Sequence, residues 1–510
     1  MSMPPMPVDT SILPGLKEDL AANPRKLFIN GAFVDAQSGE TFDVIDPATG
    51  QVFAKSAAGD AADVNAAVQA ARACFDSGAW PAMPPAQRAR IMMKLAELIE
   101  ANASRIALTE TLDNGMPLMM GFFGGAMAAS ETLRYNAGWA TKIVGETFTP
   151  SHPGEFHAFT SREPVGVVGG IVPWNFPFVM GVAKMAQALA AGCTIVLKPA
   201  EQTPLSTVIL GELIAEAGFP EGAVNIVTGL GKTAGAALVD HPQVDKISFT
   251  GSTVTGKQIV KACTGNLKRV TLELGGKSPV VIFADADLSK AIPAAAMGIF
   301  GNAGQVCAAG SRLFVHEAVR DEVLAGITGI AQSLKVGSGM DPSSQIGPLV
   351  SDTQFARVSG YIESALSEGA SVHVGGEAAK VEGSDGGYFI QPTVLTDTKP
   401  GMKAVEEEIF GPVLSTMTFS DEDDLEEVAA AANNTQYGLN ASVFTRDINR
   451  GLKMAKRIRS GMVNINGAGG GPDPAMPLGG FKQSGWGREN GRSGVEAFTE
   501  IKSVTVNLNE

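Results

Sequence analysis

Residues 164–275 predict a doubly wound α/β fold, a parallel sheet with helices packed on both faces. Two observations carry the prediction. Short apolar runs alternate with helix-length segments at regular spacing. The runs are also apolar throughout, as strands covered on both faces require. Taken in order, residues 165–172 (Val-Gly-Val-Val-Gly-Gly-Ile-Val) form the first strand and 178–191 a helix. Residues 194–197 read as a strand, 204–217 as a helix, 224–227 as a strand and 232–240 as a helix. Strand 246–249, helix 255–262 and strand 270–274 close the series. Repeated strand–helix units of this length join parallel strands. Such sheets bind ligands beyond the carboxyl ends of their strands, so the residues just after each strand are the ones to read for chemistry.

The rest of the chain is organised around this unit. At 510 residues it is too long for one hydrophobic core. Residues 85–110 are expected to be helical, with Ile91, Leu95, Leu98 and Ile99 at helical spacing. Residues 284–460 repeat the α/β texture, and the Gly/Pro-rich stretch 467–480 is a loop by composition. Residues 502–508 alternate polar and apolar side chains, as a strand would, and with little local company that strand is expected to pair with another subunit. The first 24 residues are expected to be a flexible tail.

Composition excludes several functions. Hydrophobic residues make up 45% and charged residues 18%, the balance of an ordinary globular protein. A net charge of -14 argues against a nucleic-acid partner and against docking on an anionic membrane. The longest apolar stretch, 178–192, is interrupted by Lys184 and Gln187 and is too short to span a bilayer. The N-terminus lacks the basic and apolar regions of a secretory signal. Cys74, Cys193, Cys263 and Cys307 are widely spaced, which fits reduced thiols in the cytoplasm, and the first three read as structural. Five histidines occur, none in ligand spacing, so no metal site is expected.

The chemistry concentrates in a few segments. Gly304-Gln305-Val306-Cys307 places a thiol after small, flexible residues that let a substrate approach. Cys307 is either a buried structural thiol or a nucleophile, and its neighbours Asn302, Gly304 and Gln305 are poor core residues. No histidine lies nearby in sequence, so a His-paired thiol hydrolase finds no support. Glu273 is either a strand-end carboxylate capping a loop or a general base whose flanks, Leu272 and Leu274, raise its pKa by desolvation. Asn175, in Pro173-Trp174-Asn175-Phe176-Pro177, is either a turn residue or a donor to a developing oxyanion. Lys198 and Glu201 form either an exposed pair or a clamp for a ribose diol. A carboxylate there favours NAD over NADP, because a 2′-phosphate would meet like charge. Phe249-Thr250-Gly251-Ser252 lies between a strand and a helix, a place suited to phosphate. Residues 229–235 lie in an equivalent place, but their third glycine falls one position late for the usual dinucleotide fingerprint.

Together these segments resemble the NAD(P)-dependent aldehyde dehydrogenases. The resemblance rests on P-W-N-F-P with Asn175, L-K-P-A-E with Lys198, F-T-G-S from Phe249 to Ser252, and L-E-L-G-G-K with Glu273. It also rests on G-Q-V-C with Cys307, E-E-I-F-G-P-V with Glu408 and Phe410, and P-L-G-G-F-K-Q-S-G from Pro477. It runs from about residue 27 to the C-terminus. It implies an aldehyde-dehydrogenase-like α/β fold: a Rossmann-type NAD-binding domain (25–141 and 162–274), an α/β catalytic domain (275–483) and a small β oligomerisation element (142–161 and 493–510). It implies Cys307 as nucleophile, Asn175 with the Cys307 N–H at the oxyanion, Glu273 as base for water, and Lys184 and Glu489 as a proton relay. For the cofactor it implies Ile171, Pro173, Trp174, Lys198, Glu201, Gly231, Phe249, Gly251, Ser252, Leu274, Glu408 and Phe410, with NAD bound and NADP the alternative. For the substrate tunnel it implies Phe176, Ala183, Gly301, Val306 and Leu478. Where many small-aldehyde members carry bulky aromatics, this chain has Ala183, Gly301 and Leu478, which suggests a bulky hydrophobic or aryl aldehyde. The partners implied are a small-molecule aldehyde and copies of the same chain, in a homodimer or homotetramer. A CoA-acylating relative, a catalytically silent one and a side activity as an esterase are the competing expectations.

Overall fold

The computed structural model describes residues 7–467 and 473–509. Residues 468–472, within the stretch expected to be a loop, lie outside the described residues, as do 1–6 and 510. The strands expected between 164 and 275 are present and lie in one eight-stranded sheet. Its spatial order is Gly485–Trp486, Arg269–Glu273, Lys246–Thr250, Val167–Ile171, Thr194–Lys198, Val224–Ile226, Leu27–Ile29 and Ala32–Val34. The stretch from Arg269–Glu273 to Val224–Ile226 is parallel. Chain order runs outward in both directions from Val167–Ile171, so the strand order reverses there and a crevice opens at its carboxyl end. Register fixes what lines that crevice. Ile171 pairs with Lys198 on one side and Phe249 on the other, and Thr250 pairs with Glu273.

Two of the helices between these strands are buried over most of their surface. Pro177–Ala191 starts on a proline, whose missing N–H costs nothing in a first turn, and only its N-terminal residues Val179 and Met180 are less than fully buried. With Leu205–Ala217 it packs into the largest core, which includes Phe178, Leu189, Ile195, Leu197 and Leu210. Burying each such side chain contributes about 1.5–3 kcal/mol.

A second sheet of seven strands follows, ordered Ser371–Val374, Thr393–Thr396, Val413–Phe419, Arg312–His316, Pro279–Ile282, Ser442–Phe444 and Asn464–Ile465. All its pairings are parallel except that of the edge strand Ser371–Val374. The loop after Glu273 leads directly into Pro279–Ile282, so the carboxyl edge of the first sheet faces the amino edge of the second. A third sheet joins the terminal strand Thr499–Asn507 to Phe156–Pro164 and Thr147–Phe148. Ile501, Val506 and Phe148 are exposed on it.

One expectation is corrected. The N-terminal tail is not flexible over residues 13–22: Leu13–Ala22 is a helix, with Leu16 and Leu20 buried against Val44, Ala54 and Leu108. Pro14 sits in its first turn, where proline is tolerated, and the apolar pair four residues apart supplies the packing face. Residues 85–110 are helical as expected, in two helices, Pro85–Ala101 and Ala103–Asn114, that meet at Asn102. No helix among the described residues is long and apolar enough to cross a membrane. Nor does any group of three or more His, Cys, Asp or Glu among them suit a metal ion.

Candidate active site

A cleft of about 820 Å³ opens where the two sheets face each other. From the first sheet it is lined by the turns after the strands. Lys198 is buried and its Nζ lies 3.2 Å from Glu201 Oε2. Burial lowers the Lys198 pKa, with the Glu201 carboxylate opposing that shift. The Phe249 ring packs over Gly251, where a Cβ would approach within 2.5 Å of it. Ser252 caps the helix Thr253–Cys263, its Oγ accepting from the Thr255 N–H at 3.2 Å. That helix therefore points its amino end at the cleft, as an anion site needs. Every residue expected at the cofactor, from Ile171 to Phe410, lines this cleft.

The loops before the second sheet supply the opposite wall. Cys307 is partly exposed at the end of a turn in which Asn302, Ala303 and Gly304 all have left-handed backbone, with φ of 50°, 52° and 70°. A Cβ at Gly304 would overlap the carbonyl of Gly411, so the cysteine loop is pressed against the loop carrying Glu408 and Phe410. Glu408 accepts the Gly276 N–H at 2.9 Å, and Phe410 stands edge-on to Trp174 with ring centres 5.1 Å apart. Burial pushes Glu408 up to about 7. Burial, reinforced by the Glu408 and Glu273 carboxylates, pushes the Cys307 thiol up to about 12. Attack by this thiol therefore calls for a group to take its proton.

Asn175 bridges the two walls. One of its amide hydrogens goes to the Gln305 carbonyl at 2.9 Å, which leaves the second for another acceptor. Its own carbonyl accepts from Asn302 Nδ2 at 3.3 Å. Glu273 is buried at the edge of the same cleft. Desolvation first, and then the Glu489 carboxylate, hold it well above the usual carboxylate range. Behind it, Lys184 Nζ lies 2.6 Å from Glu489 Oε1, and Ser248 Oγ bonds both, at 3.1 and 2.9 Å.

The five expected tunnel residues stand apart from this cleft: Phe176, Ala183, Gly301, Val306 and Leu478 do not line it. Ala183 is buried, while the other four are part-exposed. A Cβ at Gly301 would meet no atom within 4 Å, so open space lies beside it.

Sequence reasoning missed Gln354 and Arg357. Both line the cleft from the helix Asp352–Ser367. Gln354 Nε2 donates to the Phe410 carbonyl at 2.8 Å and Arg357 Nη2 to the Glu408 carbonyl at 2.6 Å. The only available signal was two polar residues three apart on an otherwise amphipathic helix. Nothing local ties them to a loop some 50 residues away.

The glycine cradle, the buried Lys198 and the helix amino end fit a dinucleotide, and the opposed thiol, amide and carboxylate fit acyl chemistry. The chain is similar over nearly its whole length to proteins of known kind. Residues 33–504 match the model of the aldehyde dehydrogenase family. An aldehyde dehydrogenase of Enchytraeus buchholzi is 47% identical over 97% of this chain and 98% of its own. Phenylacetaldehyde dehydrogenase of Pseudomonas fluorescens is 45% identical over 95% of this chain and 96% of its own. The NAD+ complex of aldehyde dehydrogenase from Bacillus cereus superimposes with a TM-score of 0.93 at 48% identity, covering 96% of this chain and 98% of that one.

Proposed function

The chain belongs to the aldehyde dehydrogenase family, and on that premise we propose that it oxidises a bulky hydrophobic or aryl aldehyde to the carboxylic acid with NAD. The observation that carries this reading is the meeting of Cys307, Asn175 and a buried, basic Glu273 at one cleft. Cys307 Sγ bonds to the aldehyde carbon, and its proton leaves to Glu273, whose raised pKa makes it a competent acceptor. The free amide hydrogen of Asn175 holds the oxyanion, and removing such a donor costs about 3–4 kcal/mol. Lys198, Glu201, Glu408 and the Ser252 turn hold the cofactor, which when bound supplies the hydride acceptor that leaves a thioester on Cys307. The Lys184–Glu489 pair relays away the proton that Glu273 took from the thiol, and the freed carboxylate then takes a proton from water as it attacks the thioester carbonyl. The Cys307 thiolate departs, and the Lys184–Glu489 pair accepts the proton held by Glu273.

Substrate breadth is supported by the open space beside Gly301, where a Cβ would meet no atom within 4 Å. The likeness to phenylacetaldehyde dehydrogenase points the same way. Apolar side chains exposed on the three-stranded sheet, Ile501 and Phe148 on one of its faces, support assembly through that element. The free cysteines support a reducing compartment.

The test is NADH formation at 340 nm with phenylacetaldehyde and acetaldehyde, with and without coenzyme A. The reading expects free phenylacetic acid and higher kcat/KM for the aryl substrate. Acyl-CoA as product, or acetaldehyde strongly preferred, would sink the water-releasing or the aryl half respectively.

A further inference from the structure

The last turns of the helix Ala103–Asn114 bury several polar residues, among them Glu110, Asp113 and Asn114. Burying such groups is costly unless each finds a partner. Each reaches the backbone of a different turn. Asn114 Nδ2 donates to the Trp174 carbonyl at 2.7 Å. Glu110 Oε1 accepts the Phe178 N–H at 2.9 Å, and Asp113 Oδ2 the Leu205 N–H at 3.1 Å.

Two of these bonds fall on either side of Asn175. Pro177 has no N–H and no side chain caps the helix Pro177–Ala191, so Phe178 offers its first free amide, and Glu110 takes it. At the other end the Trp174 carbonyl is held by Asn114 and, more loosely, by Thr203 Oγ1 at 3.3 Å. Burial pushes Glu110 up to about 8, so near neutrality it accepts largely as an uncharged acid. Asn114 thus holds the peptide before Asn175, Asn302 donates to the carbonyl after it, and the Gln305 carbonyl accepts one hydrogen of the Asn175 side-chain amide.

We propose that Asn114 is a positioning residue for the oxyanion: through the Trp174 carbonyl it sets where the free Asn175 amide hydrogen points. The inference rests on the reading of Asn175 as oxyanion donor. Asn114 does not line the cleft. Its loss displaces a donor, and small misplacements of reacting groups cost up to about 10²-fold.

The test is a double-mutant cycle, Asn114→Ala in the wild-type and Asn175→Ala enzymes. It reads the pre-steady-state rate of NADH formation with the faster of acetaldehyde and phenylacetaldehyde, beside KM for NAD. The inference expects a loss of about tenfold in the wild-type background. It expects no further loss in the Asn175→Ala background and a KM for NAD within about twofold of wild type. Equal losses in both backgrounds, or a raised KM for NAD with an unchanged rate, would overturn it. Asn175→Ala within twofold of wild type would instead overturn the oxyanion reading on which it rests. Should Asn114→Ala fail to fold, Thr203→Val removes the weaker donor to the same carbonyl. There a loss of about twofold confined to the wild-type background supports the inference, and an equal loss in both overturns it.

Discussion

The two walls of the cleft are built by different means. On the cofactor side, Lys198, Phe249 and Glu273 sit at the ends of paired parallel strands, and the register of the ladder places them. On the nucleophile side, no ladder reaches Cys307. Three successive left-handed residues and Phe410, with φ of 63°, hold that wall. Asparagine and glycine tolerate such backbone cheaply, but Ala303 and Phe410 do not, and each costs about 1–3 kcal/mol. The difference teaches that one wall is positioned by secondary structure and the other by packing that overrides local preference. The first should accept small changes, and the second should not.

The largest effect should come from the strained wall. Cys307→Ala removes the only thiol at the cleft, and oxidation should fall by at least about 10⁴-fold. NAD binding, followed by quenching of protein fluorescence, should survive, because the ladder-built wall is untouched. Retained oxidation would dismiss the thiol mechanism. Glu273→Gln comes next: it loses both the acceptor for the thiol proton and the base for water, so the first turnover of NADH should slow and steady turnover should fall about 10²–10⁴-fold. The sign of its pH dependence follows from burial. Water activation needs the carboxylate, and its pKa is raised, so the wild-type rate falls as pH drops through that raised value. The decline should therefore begin at higher pH than an ordinary glutamate would give. In Glu273→Gln that limb should vanish, as a stopped-flow and steady-state pH series would show.

What could be read from sequence divides along the same line. The strands, and the residues just after them, were legible because an all-apolar run reports its own burial and the chemistry follows directly in the chain. Asn175, Lys198, Ser252 and Glu273 were found that way. The grouping of Gln354 and Arg357 with Glu408, and of Glu110 and Asn114 with Trp174 and Phe178, was not legible. Those contacts join helices to turns more than 50 residues away, and no local pattern encodes the partner. The helix Leu13–Ala22 was missed because Met and Pro around it dominated the composition, while its packing face is only Leu16 and Leu20. The left-handed run before Cys307 was hinted at by Asn302 and Gly304, but Ala303 gives no such signal.

A glycine pair tests the contrast directly. Gly304→Ala adds a Cβ at φ 70° that would collide with the Gly411 backbone, so it should destabilise the fold by about 1–3 kcal/mol or more and cripple turnover. Gly235→Ala, on the ladder-built wall, adds a Cβ 3.8 Å from the nearest Lys198 atom, an ordinary contact. It should leave Tm within a degree or two, since Ala suits a helical backbone better than Gly. Equal losses in thermal melts of the two variants would erase the distinction between the walls.

The smallest expected effect lies on that ordered wall. Glu201 is part-exposed and its carboxylate meets only Lys198 Nζ, at 3.2 Å, so little of the fold depends on it. Its proposed work is selection: a carboxylate accepts from a ribose 2′-hydroxyl and repels a 2′-phosphate. Glu201→Gln keeps the shape and an accepting oxygen but removes the charge. KM for NAD should rise only a few-fold, since one charged hydrogen bond becomes a neutral one. KM for NADP should fall, so the ratio of kcat/KM for the two cofactors should narrow by about tenfold. Because Gln is close in size, Tm should not move, which separates lost selectivity from lost structure. A ratio that stays where the wild type has it would mean that Glu201 does not face the ribose at all, and cofactor choice on this wall would then fall to Lys198 and the Ser252 turn.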